Sequence, residues 1–126
     1  MTIPSTQNPK NKLTQAQQQW LAKVDAIIEE RLGDSTFVVA HIAMELYTSE
    51  RQFYRKLKKI TQKTPNQYIQ EARIQRARRL LQSGYRADLN GLARAVGYKR
   101  ADYFSNVYQD YYGTRPIEEI NRNKKR

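Results

Sequence analysis

The chain has 126 residues, 23 Lys and Arg against 12 Asp and Glu, no cysteine and a formal net charge of +11. That length suits one domain or two very small ones sharing a core, and the missing cysteines exclude a disulfide framework and a thiolate metal site. The charge calls for a polyanionic partner, either nucleic acid or an anionic membrane surface. No apolar run nears the roughly 20 residues that span a bilayer, and the start MTIPSTQNPKNK lacks the apolar core of a signal peptide. A soluble, intracellular protein is expected.

Residues 1–13, with Pro4, Pro9 and no apolar periodicity, read as a disordered arm. A first helix is predicted from Gln15 to Leu32, capped by Thr14 and stopped at Gly33, with Trp20, Val24, Ile27 and Ile28 on one stripe. A short second helix covers Val38 to Leu46. A third begins at its cap Ser49 and runs to Ile60, with Phe53, Leu57 and Ile60 facing inward. Thr64-Pro65 opens the fourth and longest, which reaches Ser83-Gly84 and carries Arg73, Arg76, Arg78 and Arg79. A fifth spans Leu89 to Val96 behind Asp88, a sixth Ala101 to Tyr112 before Gly113, and a last short helix begins at Pro116 with Ile117 and Ile120. The tail NRNKKR is expected to fray. The fold class is therefore all-α, with about seven helices.

The charge is unevenly placed. Residues 1–48 hold 4 basic and 5 acidic side chains, residues 49–86 hold 11 and 2, and residues 87–126 hold 8 and 5. A set of ordinary solvated helix faces would mix the signs more evenly, so a binding surface centred in the middle third is expected.

There is also an internal repeat. Ile42-Ala43 and Leu46 recur as Leu92-Ala93 and Val96, while Phe53, Leu57, Thr64-Pro65 and Ile69 recur one residue later as Phe104, Tyr108, Arg115-Pro116 and Ile120. A short helix, a tight turn, a longer helix and a proline thus occur twice. The turns are Tyr47-Thr48 and Gly97-Tyr98-Lys99, and Ala43 and Ala93 let the paired helices approach closely. This is the helix-turn-helix pattern, in which the second helix offers a polar face to the DNA major groove. Helix three presents Arg51, Gln52, Tyr54, Arg55, Lys58 and Lys59; Arg suits guanine, Gln suits adenine, and the later lysines suit phosphate. Helix six presents Arg100, Asp102, Tyr103, Ser105 and Asn106. Asn106 suits adenine, Asp102 a cytosine amino group, and Tyr103 a thymine methyl or a phosphate.

The sequence resembles the DNA-binding domain of the AraC/XylS family of bacterial transcription regulators. The residues that carry the likeness are Ile42-Ala43, Ser49 to Phe53, Leu57, Thr64-Pro65, Tyr68-Ile69, Arg73-Ile74, Ala77 and Leu80-Leu81, then Leu92-Ala93, Val96 to Tyr98, Tyr103 to Ser105, Val107-Tyr108, Tyr111 to Gly113 and Pro116. The likeness as a whole covers about residues 17–121. The resemblance implies two helix-turn-helix subdomains, about 14–84 with the linker helix and 85–121, followed by a basic tail at 122–126. It implies base reading by Arg51, Tyr54 and Arg55 on the first recognition helix and by Asp102, Tyr103 and Asn106 on the second. Lys63, Thr64, Asn66, Gln67 and Arg115 fall at phosphate-touching positions, to which Lys58 and Arg100 are added from their charge. The implied partner is double-stranded DNA, bound by a monomer, with RNA polymerase as a second partner. No cofactor is implied, and the compartment is the bacterial cytoplasm at the nucleoid. Only about 14 residues precede helix one, so the chain is either a stand-alone member or the C-terminal part of a larger regulator.

Several positions depart from that pattern. The family has Gly where Gln62 stands, so Gln62 must adopt a positive φ or the helix must end differently. Tyr98 replaces a commoner Phe and brings a hydroxyl that needs a partner or solvent. Gly91 weakens helix five slightly, and Asp102 puts a negative charge where DNA lies. Helix four, about 28 Å long at 1.5 Å per residue, is shorter than the roughly 34 Å between successive major-groove faces. Bent DNA is therefore expected, with the basic middle third neutralising phosphates on its inner side.

Other classes fit less well. His41 is the only histidine and lies in a helix away from cysteine or carboxylate motifs, and no Gly-rich phosphate loop, HExxH or GxSxG is present, so catalysis is not expected. An Arg-rich amphipathic helix can bind anionic lipid, but a duplicated turn has no use there. RNA binding is open to so basic a chain, yet no RNP-type strand or GxxG loop supports it.

Overall fold

A computed structural model describes residues 12–125. Among the described residues there are seven helices and no strand: α1 (Gln15–Arg31), α2 (Val39–Glu45), α3 (Glu50–Thr61), α4 (Pro65–Gln82), α5 (Leu89–Ala95), α6 (Ala101–Tyr112) and α7 (Pro116–Lys124). The arm expected at residues 1–13 lies, through residue 11, outside the described residues. The chain divides into two compact units, one holding Val38–Tyr68 with the residues up to Glu29, the other holding Glu30–Phe37 with Ile69 onward. The division thus falls inside α4 after its first turn, not at the Gly84 end where the linker helix was expected to separate the subdomains. The cause is packing: Ile74, Ala77 and Leu81 of α4 belong to the core of the second unit.

Helix starts follow from side chains that satisfy the first free N–H groups. Thr14 Oγ1 accepts from Gln17 N at 3.0 Å while Gln17 Oε1 accepts from Thr14 N at 3.0 Å. Thr64 and Gln67 repeat this reciprocal box on α4, at 3.2 and 2.9 Å. At α2 the nitrogen Nδ1 of His41 accepts from Val38 N at 3.1 Å, giving the lone histidine a structural task. Asp88 caps α5 through Gly91 N at 2.8 Å.

The first unit buries Val24, Ile28, Ile42, Ala43, Phe53, Leu57 and Ile60. Trp20 packs on Phe53 with ring centres 5.8 Å apart and carries the Lys56 ammonium over its ring at 4.7 Å. The second unit has its own core of Ile74, Ala77, Leu81, Leu92, Ala93, Val96, Phe104, Val107, Tyr108 and Ile120.

The sequence repeat is also a repeat of hydrogen bonds. Thr48 N donates to Ala43 O at 3.0 Å, and Tyr98 N to Ala93 O at 2.8 Å; Tyr47 N donates to Met44 O and Gly97 N to Arg94 O, both at 3.1 Å. Both short helices thus end in the same i→i−5 closure, which needs a left-handed residue in the middle. Gly97 supplies it at φ 92° and Tyr47 at φ 56°. Gln62 is the other non-glycine at positive φ among the described residues, at 62°, so α3 ends as a glycine would end it. Local bonds offset part of that cost: Gln62 Nε2 donates to Lys59 O at 3.0 Å.

Two expectations are corrected. The tail does not fray from Asn121, because α7 continues to Lys124. Asn123 is buried, and its Nδ2 donates to Leu81 O at 2.9 Å and Tyr85 O at 2.7 Å, satisfying carbonyls at the end of α4. Ser105, expected on the outer face of α6, is buried beside Phe104.

Candidate nucleic-acid interface

On α3 the buried Phe53, Leu57 and Ile60 fix the opposite face outward. Arg51, Tyr54, Arg55 and Lys58 stand at i, i+3, i+4 and i+7, one exposed stripe. Arg51, Tyr54 and Arg55, with Glu50 at the start of α3, line a groove of about 500 Å³ together with Val39 at the start of α2 and Thr64, Pro65 and Asn66 at the start of α4. The structure thus brings three expected base readers together with two expected phosphate contacts. It also places a helix N-terminus on the groove wall, which favours anions.

Three expected contacts already have other work. Gln52 Oε1 accepts from Thr48 Oγ1 at 2.8 Å and from Ser49 N at 3.5 Å, closing the cap of α3. Reading adenine bidentately requires that oxygen to leave the cap. Thr64 and Gln67 hold each other at the start of α4, so what they bring to the groove is chiefly the oriented helix end. Lys63 is half-buried, and Asn66 is exposed.

On α6 Asp102, Tyr103 and Asn106 are exposed while Phe104, Val107 and Tyr108 are buried. Tyr103 is half exposed; its ring lies 5.9 Å from Tyr98, and its hydroxyl accepts from Gln70 Nε2 at 3.4 Å. Asp102 pairs with Arg100 through two bonds of 2.7 and 3.2 Å. The guanidinium first, then the Tyr103 N–H, hold its carboxyl below the usual carboxylate range. Arg115 is exposed immediately before Pro116.

The arginines of α4 divide differently from their expected role as a phosphate-neutralising face. Arg73 is buried at 7% exposure. Its Nη1 donates to Gly97 O and its Nη2 to Asp34 O at 3.3 Å, and its guanidinium lies over Tyr98 at 5.8 Å. Burial pulls its pKa below the ordinary arginine value. Arg78 Nη1 donates to Glu119 Oε2 at 3.1 Å and to the Tyr108 hydroxyl at 3.2 Å, and Tyr108 donates to the same Glu119 oxygen at 2.7 Å. The face of the Arg78 guanidinium covers Tyr112 at 4.6 Å. These two cations are internal fasteners of the second unit. A signal for Arg73 exists in the sequence: it shares the i, i+4 stripe of Ile69, Ala77 and Leu81. The Tyr98 hydroxyl beside it is buried without a hydrogen-bond partner among the described residues, and burial pushes its pKa up.

No helix among the described residues is long and apolar enough to cross a membrane, and no group of three His, Cys, Asp or Glu among them could hold a metal ion.

A family model described as a helix-turn-helix domain matches residues 42–122. The chain is similar to histidine kinase P4 of Formosa agariphila, 32% identical over 105 residues that cover 83% of this chain and 8% of that protein. It is likewise similar to the HTH-type transcriptional regulator ArgR of Pseudomonas aeruginosa, 31% identical over 113 residues, 90% of this chain and 31% of that one. It therefore spans well under half of either relative. Among solved structures it is similar to an AraC-type transcriptional regulator from Chromobacterium violaceum, at a TM-score of 0.76 and 25% identity over 87% of this chain and 96% of that one. It is also similar to the DNA-binding domain of the global transcriptional factor AdpA in complex with a target DNA, at a TM-score of 0.73 and 25% identity over 83% and 93% of the two chains.

Proposed function

The chain belongs to the AraC-type helix-turn-helix family, and from that premise we propose that it reads DNA sequence with two recognition helices, α3 and α6, entering successive major grooves to regulate transcription. The observation that carries this reading is the exposed stripe of Arg51, Tyr54, Arg55 and Lys58 along a groove closed by the start of α4. Base-edge contacts come from Arg51, Tyr54 and Arg55 on α3 and from Tyr103 and Asn106 on α6. Phosphate contacts come from Lys58, Lys63, Asn66 and Arg115 and from the helix end held by Thr64 and Gln67. The chain works without catalysis, as one copy per site. Its setting is the bacterial nucleoid, where RNA polymerase is the second partner.

The two kinds of contact are separable by mutation. Arg55→Ala should lose roughly 10- to 100-fold in affinity for the preferred base at one position and bind the other bases there nearly as before. Lys63→Ala should weaken all duplexes alike. Competition binding with duplexes varied one base pair at a time checks both. Uniform loss in both variants, over cognate and random DNA, would remove α3 as a reader.

A further inference from the structure

Arg100 is the residue before α6, and its side chain makes no capping bond. Instead it lies along Asp102 in the first turn of the helix: Nε donates to Oδ1 at 3.2 Å and Nη2 to Oδ2 at 2.7 Å. Asp102 Oδ1 also accepts the backbone N–H of Tyr103 at 2.8 Å. The carboxylate is thus fastened to its own helix and, through two parallel bonds, to the guanidinium. The Arg100 side chain nevertheless stays 75% exposed.

A guanidinium has five N–H donors in a rigid planar fork. The side-on pairing with Asp102 engages one on Nε and one on Nη2. The free edge is the end-on one, with the two donors of Nη1 and the second donor of Nη2. Two parallel donors on that edge match O6 and N7 of guanine in the major groove. We propose that Arg100, buttressed by Asp102, reads one guanine in the part of the site that α6 contacts. The assignment rests on α6 entering a major groove, as proposed above. Phosphate can take the same two donors but also accepts a lysine ammonium as a point charge, so a preference lost when the charge is kept as lysine marks the base and not the backbone. A cytosine amino group would find Asp102 Oδ1 already accepting two hydrogen bonds and Oδ2 already holding Arg100, so the carboxylate is engaged chiefly by its own chain. Asp102 is then a positioning residue. It limits the rotamers of a long side chain before binding, so less freedom is lost on contact. The negative charge on a DNA-facing helix is matched by its own arginine.

Selection from random duplex DNA with the wild type, Arg100→Lys and Asp102→Asn tests this. Both side chains are exposed, so their loss should cost little stability and the three proteins should melt within a few degrees of one another. The wild-type site should hold a guanine that Arg100→Lys no longer prefers, a loss on the order of tenfold with the charge retained and the other positions unchanged. Asp102→Asn should relax that same position and no other, while its binding to random duplex stays equal or becomes stronger. If both variants leave every base preference in place, Arg100 is not a base reader. If Asp102→Asn alters a different position from Arg100→Lys, Asp102 reads on its own account. Either result overturns the proposal while leaving DNA reading intact. A wild type that enriches no sequence overturns the DNA reading and this assignment with it.

Discussion

Gly97→Ala should destabilise the second unit by about 3 kcal/mol or more. A Cβ there would fall well inside contact distance of Arg73 Nη1 and Cζ and of the Leu32 carbonyl oxygen. Overpacking of this kind costs about 1–3 kcal/mol where neighbours can yield, and these cannot yield freely. Arg73 is buried and bound to Gly97 O and Asp34 O, and the Leu32 oxygen is backbone. The residue is also at φ 92°, a conformation that costs an L side chain roughly a further 1–2 kcal/mol. Gly84→Ala is the control, since φ is 104° there but nothing lies within 4 Å. It should show the backbone cost alone. Thermal unfolding checks the pair: the Gly97 variant should melt on the order of 10–20 °C lower, the Gly84 variant only a few degrees lower. Equal losses in the two would mean that the close approach of Arg73 to the turn does not matter to stability.

Affinity for duplex DNA should fall by about three to five orders of magnitude between 50 and 200 mM salt, the expectation for six to ten phosphate contacts. The slope of log K against log salt would then be about −5 to −9. Lys56, Lys58, Lys59, Lys99 and Arg115 are exposed and Lys63 is half-buried, and these lead the set. Arg73 and Arg78 are not in it, because their guanidinium groups are bound within the second unit. Removing Lys58 or Lys63 should make the slope shallower by about one unit. Arg78→Met should lower stability, because Glu119 loses its counter-charge and keeps only the Tyr108 hydroxyl, and leave the slope of the folded protein unchanged. A slope near −1, or equal affinity for anionic vesicles, would contradict DNA as the partner. A slope that changes with Arg78 would put that residue on the surface facing DNA.

The elements were legible because their ends are written locally. Ser49 before α3, Thr64-Pro65 before α4, Asp88 before α5 and Gly113 after α6 each act within four residues of themselves, and α6 spans Ala101–Tyr112 as its pattern predicts. The exposed stripe of α3 was legible for the same reason, as the complement of Phe53, Leu57 and Ile60. What distant partners decide was not legible. Arg73 shares the inward stripe of Ile69, Ala77 and Leu81, but the acceptors that hold it there are carbonyls 24 and 39 residues away, which no local pattern names. Arg78 meets Glu119 from 41 residues away. Asn123 sits in what looks like a solvated tail, and only the carbonyls at the end of α4 and at Tyr85 draw it inward. The double role of Gln52, reader or cap, is local in origin, but its residue type serves both equally well.

If a single chain carries both readers, as proposed, its site need not be two-fold symmetric. Sedimentation equilibrium of the chain with a selected duplex of about two helical turns tests this most directly. The expected result is one chain per duplex on an asymmetric site. Two chains per duplex on a palindrome would contradict it.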